Sequence, residues 1–154
     1  MRRSVVVSML ALAAILIANN RANSEGAIAE GIAPGGVAKG YEFSVVVNRA
    51  TTDVARTDAV ARCKKKPEKV ESGAAPDSGN ARARALCAVV STFHDKCVAF
   101  ALDPKDGTPG AGWATGDTQE KADAEALARC RSVAGADRRD FCKVTNRSCD
   151  GAAK

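Results

Sequence analysis

Hydrophobic positions along the chain fall into three regimes. Val5 to Ala18 is an unbroken apolar run apart from Ser8, and Arg2 and Arg3 precede it. A helix needs roughly 20 apolar residues to cross a bilayer comfortably, so this shorter run with its basic start predicts a cleavable export signal. Small residues follow it. Ala22-Asn23-Ser24 offers an A-x-S site, which places the expected cut after Ser24, with Ala18 and Ala22 as weaker options. Further on, small apolar residues recur at helical spacing. Ala55, Ala59, Val60 and Cys63 form one stripe; Ala122, Ala126, Leu127, Cys130 and then Val133 or Ala134 form another. Asp117 with Glu120 predicts a capping box for the second helix, and Gly135 predicts its stop. Pro67 bounds the first. The third regime is strand-like: Ala27-Ile28-Ala29, Val37 to Val47, Ala85 to Val90, Val98 to Leu102, Gly110 to Thr115 and Phe141 to Val144. Asp103-Pro104-Lys105-Asp106-Gly107 is a turn signal between two of these.

The two helical stripes belong to a repeat. With Cys63 laid over Cys130, Thr51 to Cys63 matches Thr118 to Cys130 at six of thirteen positions. A second cysteine inside an apolar stretch follows each helix, Cys87 and Cys142, and then a third, Cys97 and Cys149. Each half therefore predicts strand, strand, helix, strand. The expected fold is α+β, a mainly antiparallel sheet with helices packed on it, in one domain over residues 25–154 whose halves span about 25–97 and 98–149. Between helix cysteine and strand cysteine the first half has 23 residues and the second 11. The surplus, Lys64 to Arg84, is rich in Lys, Gly, Pro, Ser and Asn and predicts a mobile surface loop.

Six cysteines in an exported chain predict a disulfide framework. Spacing leaves fifteen pairings open. The repeat selects Cys63–Cys87, Cys130–Cys142 and Cys97–Cys149. No C-x-x-C pair is present to suggest a redox or zinc site. Aromatic residues make up only 4% of the chain, so cross-links have a core of small residues to reinforce. The formal charge of +5 shrinks once the signal is gone: Arg2, Arg3 and Arg21 leave with it, and 20 basic residues then face 18 acidic ones. The expected location is periplasmic or secreted, with no membrane span after cleavage. A nucleic-acid partner would want a dense basic face, and only Lys64-Lys65-Lys66 with Lys69 approaches one.

These residues resemble a bacterial family of small exported proteins known only as a domain of unknown function. The likeness rests on Gly26-Ala27-Ile28-Ala29, Gly40-Tyr41 and Ala59-Val60-Ala61-Arg62-Cys63. Its second half adds Gly112-Trp113, Ala126-Leu127-Ala128-Arg129-Cys130 and Cys142-Lys143-Val144. It implies export and an α+β fold, and carries no catalytic residue across.

Candidate chemistry is sparse. His94, the only histidine, stands beside Asp95, which suggests a small envelope hydrolase using that pair and a nearby acid. No G-x-S-x-G nucleophile elbow accompanies it, and neighbours on a strand point to opposite faces. Asp103 and Asp106 lack the ligand spacing of a calcium loop. No cofactor or metal site is expected. The pattern favours a non-catalytic binding module for an envelope component or a protein partner, with Tyr41, Trp113, Lys64, Lys65 and Lys66 as candidate contacts. A structural protein without a specific ligand is the third possibility.

Overall fold

The computed structural model describes residues 24–65 and 79–154. Apart from Ser24, the expected signal segment lies outside them, as do Lys66 and Lys69. Strands β1 (Glu25–Ile32) and β2 (Tyr41–Arg49) lead into helix α1 (Thr52–Lys64). Helix α2 (Gly79–Ala85) and strand β3 (Ala88–His94) follow. The second half contributes β4 (Cys97–Leu102), β5 (Ala111–Gly116), helix α3 (Gln119–Val133) and β6 (Lys143–Cys149). The chain is α+β, with two three-stranded antiparallel sheets ordered β2-β1-β3 and β5-β4-β6.

Alternation along each strand explains the layering. In β1, Ala27 and Ala29 turn toward α1, where Val46, Ala55, Ala59 and Cys63 complete a buried cluster. Ile28 lies on the opposite face with Phe93, Val98, Phe43, Val45, Val47 and Trp113. In β4, Ala99 and Ala101 face Ala122, Ala126 and Cys130 of α3. Phe100 instead stacks on Phe43, with ring centroids 4.4 Å apart. The order of layers is thus helix, sheet, sheet, helix. Small residues fill the two outer seams and larger ones the central seam.

Several local features depart from the sequence expectation. The caps are the aligned threonines: Thr51 accepts from the Val54 N–H and Thr118 from the Lys121 N–H, both at 3.3 Å. Asp117 instead pairs with Lys96. An extended Ala134 ends α3, so Gly135 is not its cap. Val37–Lys39 forms a 3-10 turn rather than strand, because Gly40 at φ 146 redirects the chain into β2. Of the expected Lys64–Arg84 loop, residues 66–78 lie outside the described residues, and its end belongs to helix Gly79–Ala85, which packs on the first sheet through buried Ala83. Likewise Ala85 and Leu86 precede β3, and Phe141 lies in a 3-10 turn before β6.

Three disulfides close the units: Cys63–Cys87, Cys130–Cys142 and Cys97–Cys149. The first two join the last turn of a helix to the residue before a strand. The third links paired positions of β4 and β6. Each contributes about 2–4 kcal/mol by restricting the unfolded chain.

Helix α3 approaches β5 so closely that a Cβ on Gly112 would lie 2.6 Å from the Cys130 nitrogen. Gly112→Ala should therefore destabilise the fold by about 1–3 kcal/mol, measured by chemical denaturation with disulfides intact. A neutral result would show that the helix can shift outward at little cost.

Candidate functional site

The expected catalytic pair lies at one end of the sandwich. His94 is the last residue of β3, and Asp95 follows it at φ 49, off the strand. That left-handed step overrides the opposite-face expectation and brings Asp95 Oδ2 to 3.1 Å from His94 Nε2. The other ring nitrogen, Nδ1, lies 2.7 Å from the Ser24 carbonyl oxygen and 3.6 Å from Glu25 Oε1. Both nitrogens thus face oxygens that accept hydrogen bonds. A general base needs a lone pair aimed at the proton it removes, and among the described residues no hydroxyl lies against this ring.

Ser24 completes a resemblance to a hydrolytic triad in residue type alone. Its hydroxyl oxygen lies 2.9 Å from Asp150 Oδ1 and 2.8 Å from Asn48 Oδ1, and not against His94. Asp150 is fully buried and also accepts from the backbone N–H groups of Asn48 at 2.6 Å and Asp95 at 3.3 Å. Gly151 N–H donates to Asn48 Oδ1 and Ala152 N–H to Asp95 Oδ1. The cluster fastens the segment after β6 onto the first half. Among the described residues no cluster of three or more His, Cys, Asp or Glu has metal-site geometry.

Strand registers explain why a histidine stands there. Ala27 and Ala29 in β1 correspond to Ala99 and Ala101 in β4, so Glu25 corresponds to Cys97. Glu25 pairs with His94 as Cys97 pairs with Cys149. The Glu25–His94 contact therefore occupies the place that a disulfide takes in the second half.

Tyr41 and Trp113 converge on one carboxylate. The Tyr41 hydroxyl donates to Glu30 Oε2 at 2.9 Å, and Trp113 Nε1 donates to the same oxygen at 3.3 Å. Tyr41 also stacks on Phe100, with centroids 5.6 Å apart. Burial, then the Glu30 charge and hydrogen bond, push its phenol above the ordinary range. Trp113 is covered by the Arg129 guanidinium, 5.7 Å from the ring centroid. These contacts join the halves. Lys64 and Lys65 are exposed at the end of α1.

A groove of about 360 Å³ opens beside Tyr41, where the two halves meet. The first half supplies Lys39, Tyr41 and Asn80; the second supplies Asp103, Lys105 and Asp106. Asn80 Oδ1 accepts from the Tyr41 N–H at 3.4 Å. Arg138 grips buried Asp103 with two hydrogen bonds of 2.6 and 2.8 Å. Those bonds hold the Asp103 carboxyl down at about 2, against an opposing contribution from burial. Lys39 and Lys105 have no carboxylate within 4.0 Å among the described residues. Sequence inspection singled out Tyr41 here but missed Lys39, Asn80 and Lys105, whose convergence depends on how the halves stack.

Residues 26–149 match the family described as Domain of unknown function (DUF4189). The chain belongs to that family. No curated protein and no solved structure matches it. DUF4189 membership extends across both halves and both sheets, so the groove between them lies within the family's own domain.

Two outcomes test this geometry. A carboxyl whose folded pKa is depressed stabilises the fold above its unfolded pKa and loses that contribution as pH falls through the folded value. The gap in thermal midpoint between wild type and Asp103→Asn should therefore stay constant above about pH 5 and close as pH approaches about 2. A gap independent of pH would remove Arg138–Asp103 as its source. Secondly, Glu25→Cys combined with His94→Cys should close a fourth disulfide, visible as the loss of two hydrogens in the intact mass without reduction. Two persistent free thiols would contradict the equivalence of the two strand pairs.

Proposed function

We propose that this protein is an exported, non-catalytic binding module of the periplasm or the extracellular space, and that it contacts its partner through the groove between its halves. Export is supported by the basic, apolar start of the chain and by three disulfides, which fit an oxidising compartment. Among the described residues no helix is long and apolar enough to cross a membrane.

The observation that carries the binding function is the groove itself. It is concave, spans both halves and is lined by Lys39 and Lys105 together with Tyr41, Asn80, Asp103 and Asp106; of those acids Asp103 is already paired with Arg138. Ligand sites commonly form at such junctions, where apolar walls and a few convergent polar groups coincide. The lysines favour an anionic group on an envelope component or protein partner. Helix α2 borders the groove through Gly79 and Asn80, so the segment peculiar to the first half helps to shape it. The hydrolase alternative gains nothing from His94, whose ring nitrogens face the Ser24 carbonyl and the Asp95 carboxyl rather than a nucleophile.

Envelope extract passed over immobilised protein tests this. A partner retained by wild type should be lost by Lys39→Glu combined with Lys105→Glu, which should weaken binding at least about tenfold, a change of about 1.4 kcal/mol. Lys64→Glu combined with Lys65→Glu should still retain it. Equal retention by all three would remove the groove from the interaction, and retention of nothing by wild type would remove the binding function.

A further inference from the structure

Ser24 contributes to the folded domain in a way the expected cleavage site does not allow. It is only 7% exposed. Its hydroxyl oxygen lies within hydrogen-bond distance of Asp150 and Asn48, and its carbonyl faces His94 Nδ1. A cut after Ser24 would remove all three contacts. Asp150 would keep only two backbone N–H partners for a fully buried carboxylate. A buried charged group that loses a hydrogen-bond partner bears its desolvation penalty. The same cut would open space beside Gly151, whose approach is so close that a Cβ there would sit 3.2 Å from the Ser24 Cβ.

We infer that the export signal is removed upstream of Ser24, after Ala22, so that Asn23 begins the mature chain and Ser24 stays as the pin between the two ends of the domain. This rests on the export proposed above. The reaction is hydrolysis of the Ala22–Asn23 peptide bond by an envelope endopeptidase. Water adds across the bond, Ala22 leaves with a carboxylate and Asn23 gains an α-ammonium group. Ala22 supplies the small residue that such enzymes take immediately before the cut. Two residues upstream stands Asn20, which fits the A-x-A form less well than Ala22-Asn23-Ser24 does. The folded domain weighs the other way, because every contact of Ser24 needs that residue to remain.

The test is expression of the full chain in an exporting bacterial host, followed by N-terminal sequencing and intact mass of the protein released from the periplasm. A start at Asn23 is the expected result. A start at Glu25 overturns the inference and leaves export standing. An uncleaved chain beginning at Met1 overturns both. Thermal melting supplies a second readout, since a residue absent from the mature protein cannot affect its stability. Ser24→Ala should lower the midpoint by about 3 °C or more with the starting residue unchanged. An unaltered midpoint would overturn the role given to Ser24.

Discussion

The architecture depends on how closely each helix lies on its sheet. Gly112 and Gly116 face α3 where a Cβ would come within 3 Å of the Cys130 and Ala122 nitrogens. Ala99, Ala101, Ala122 and Ala126 fill the rest of that seam, while Ala27, Ala29, Ala55 and Ala59 fill the equivalent one. Seams made of methyl groups are dense but bury little apolar surface for each residue ordered, and stabilisation follows buried area at about 25 cal/mol per Å². Two compensations are built in. The opposite face of each sheet carries larger residues that meet in the central seam, and disulfides restrict the unfolded chain. Helix-side small residues, sheet-side large residues and covalent links are thus one solution to one constraint.

Much of this was legible in the chain. The alanine stripes and the thirteen-residue repeat identify both long helices, and the shared helix-then-strand cysteine order matches Cys63–Cys87 and Cys130–Cys142, whereas Cys97, which reads as the counterpart of Cys149, instead opens β4 opposite it. Other features escaped because they depend on backbone choices with weak local signals. Asp117 and Thr118 are both good cap residues, and the choice falls to Thr118 while Lys96, from the turn between β3 and β4, engages Asp117. Helix α2 lies in a polar stretch that reads as loop, and it is held by buried Ala83 and by contacts such as Arg84 with Glu42 that only the fold brings together. The His94–Asp95 contact was unreadable because strand alternation fails where Asp95 adopts a left-handed conformation.

Aromatic residues and lone histidines attract functional interpretation, and here much of their chemistry is spent on joining the halves. Glu30 receives hydrogen bonds from Tyr41 and Trp113, one from each half, so the scarce aromatic residues hold the central seam. His94 stands where the second half has a disulfide cysteine, and it meets acceptors on both sides. Tyr41 alone among the aromatic candidates also lines the groove, through the part of its surface that Phe100 and Glu30 leave uncovered.

The repeat also accounts for the position of the groove. The β1–β2 connection closes with Ala33 N–H donating to Gly40 O at 2.9 Å, and the β4–β5 connection with Asp103 N–H donating to Gly110 O at 2.8 Å. These are equivalent turns, and both border the groove. Duplication of one unit therefore brings two copies of one turn to the same opening, where they carry different side chains: Lys39 from the first, Asp103, Lys105 and Asp106 from the second. Helix α2 adds Asn80 from one side only. A scaffold built by repetition acquires a specific opening where its copies differ, and in this chain one set of those differences lies at the groove while another, Glu25–His94 in place of a disulfide, lies at the opposite strand ends.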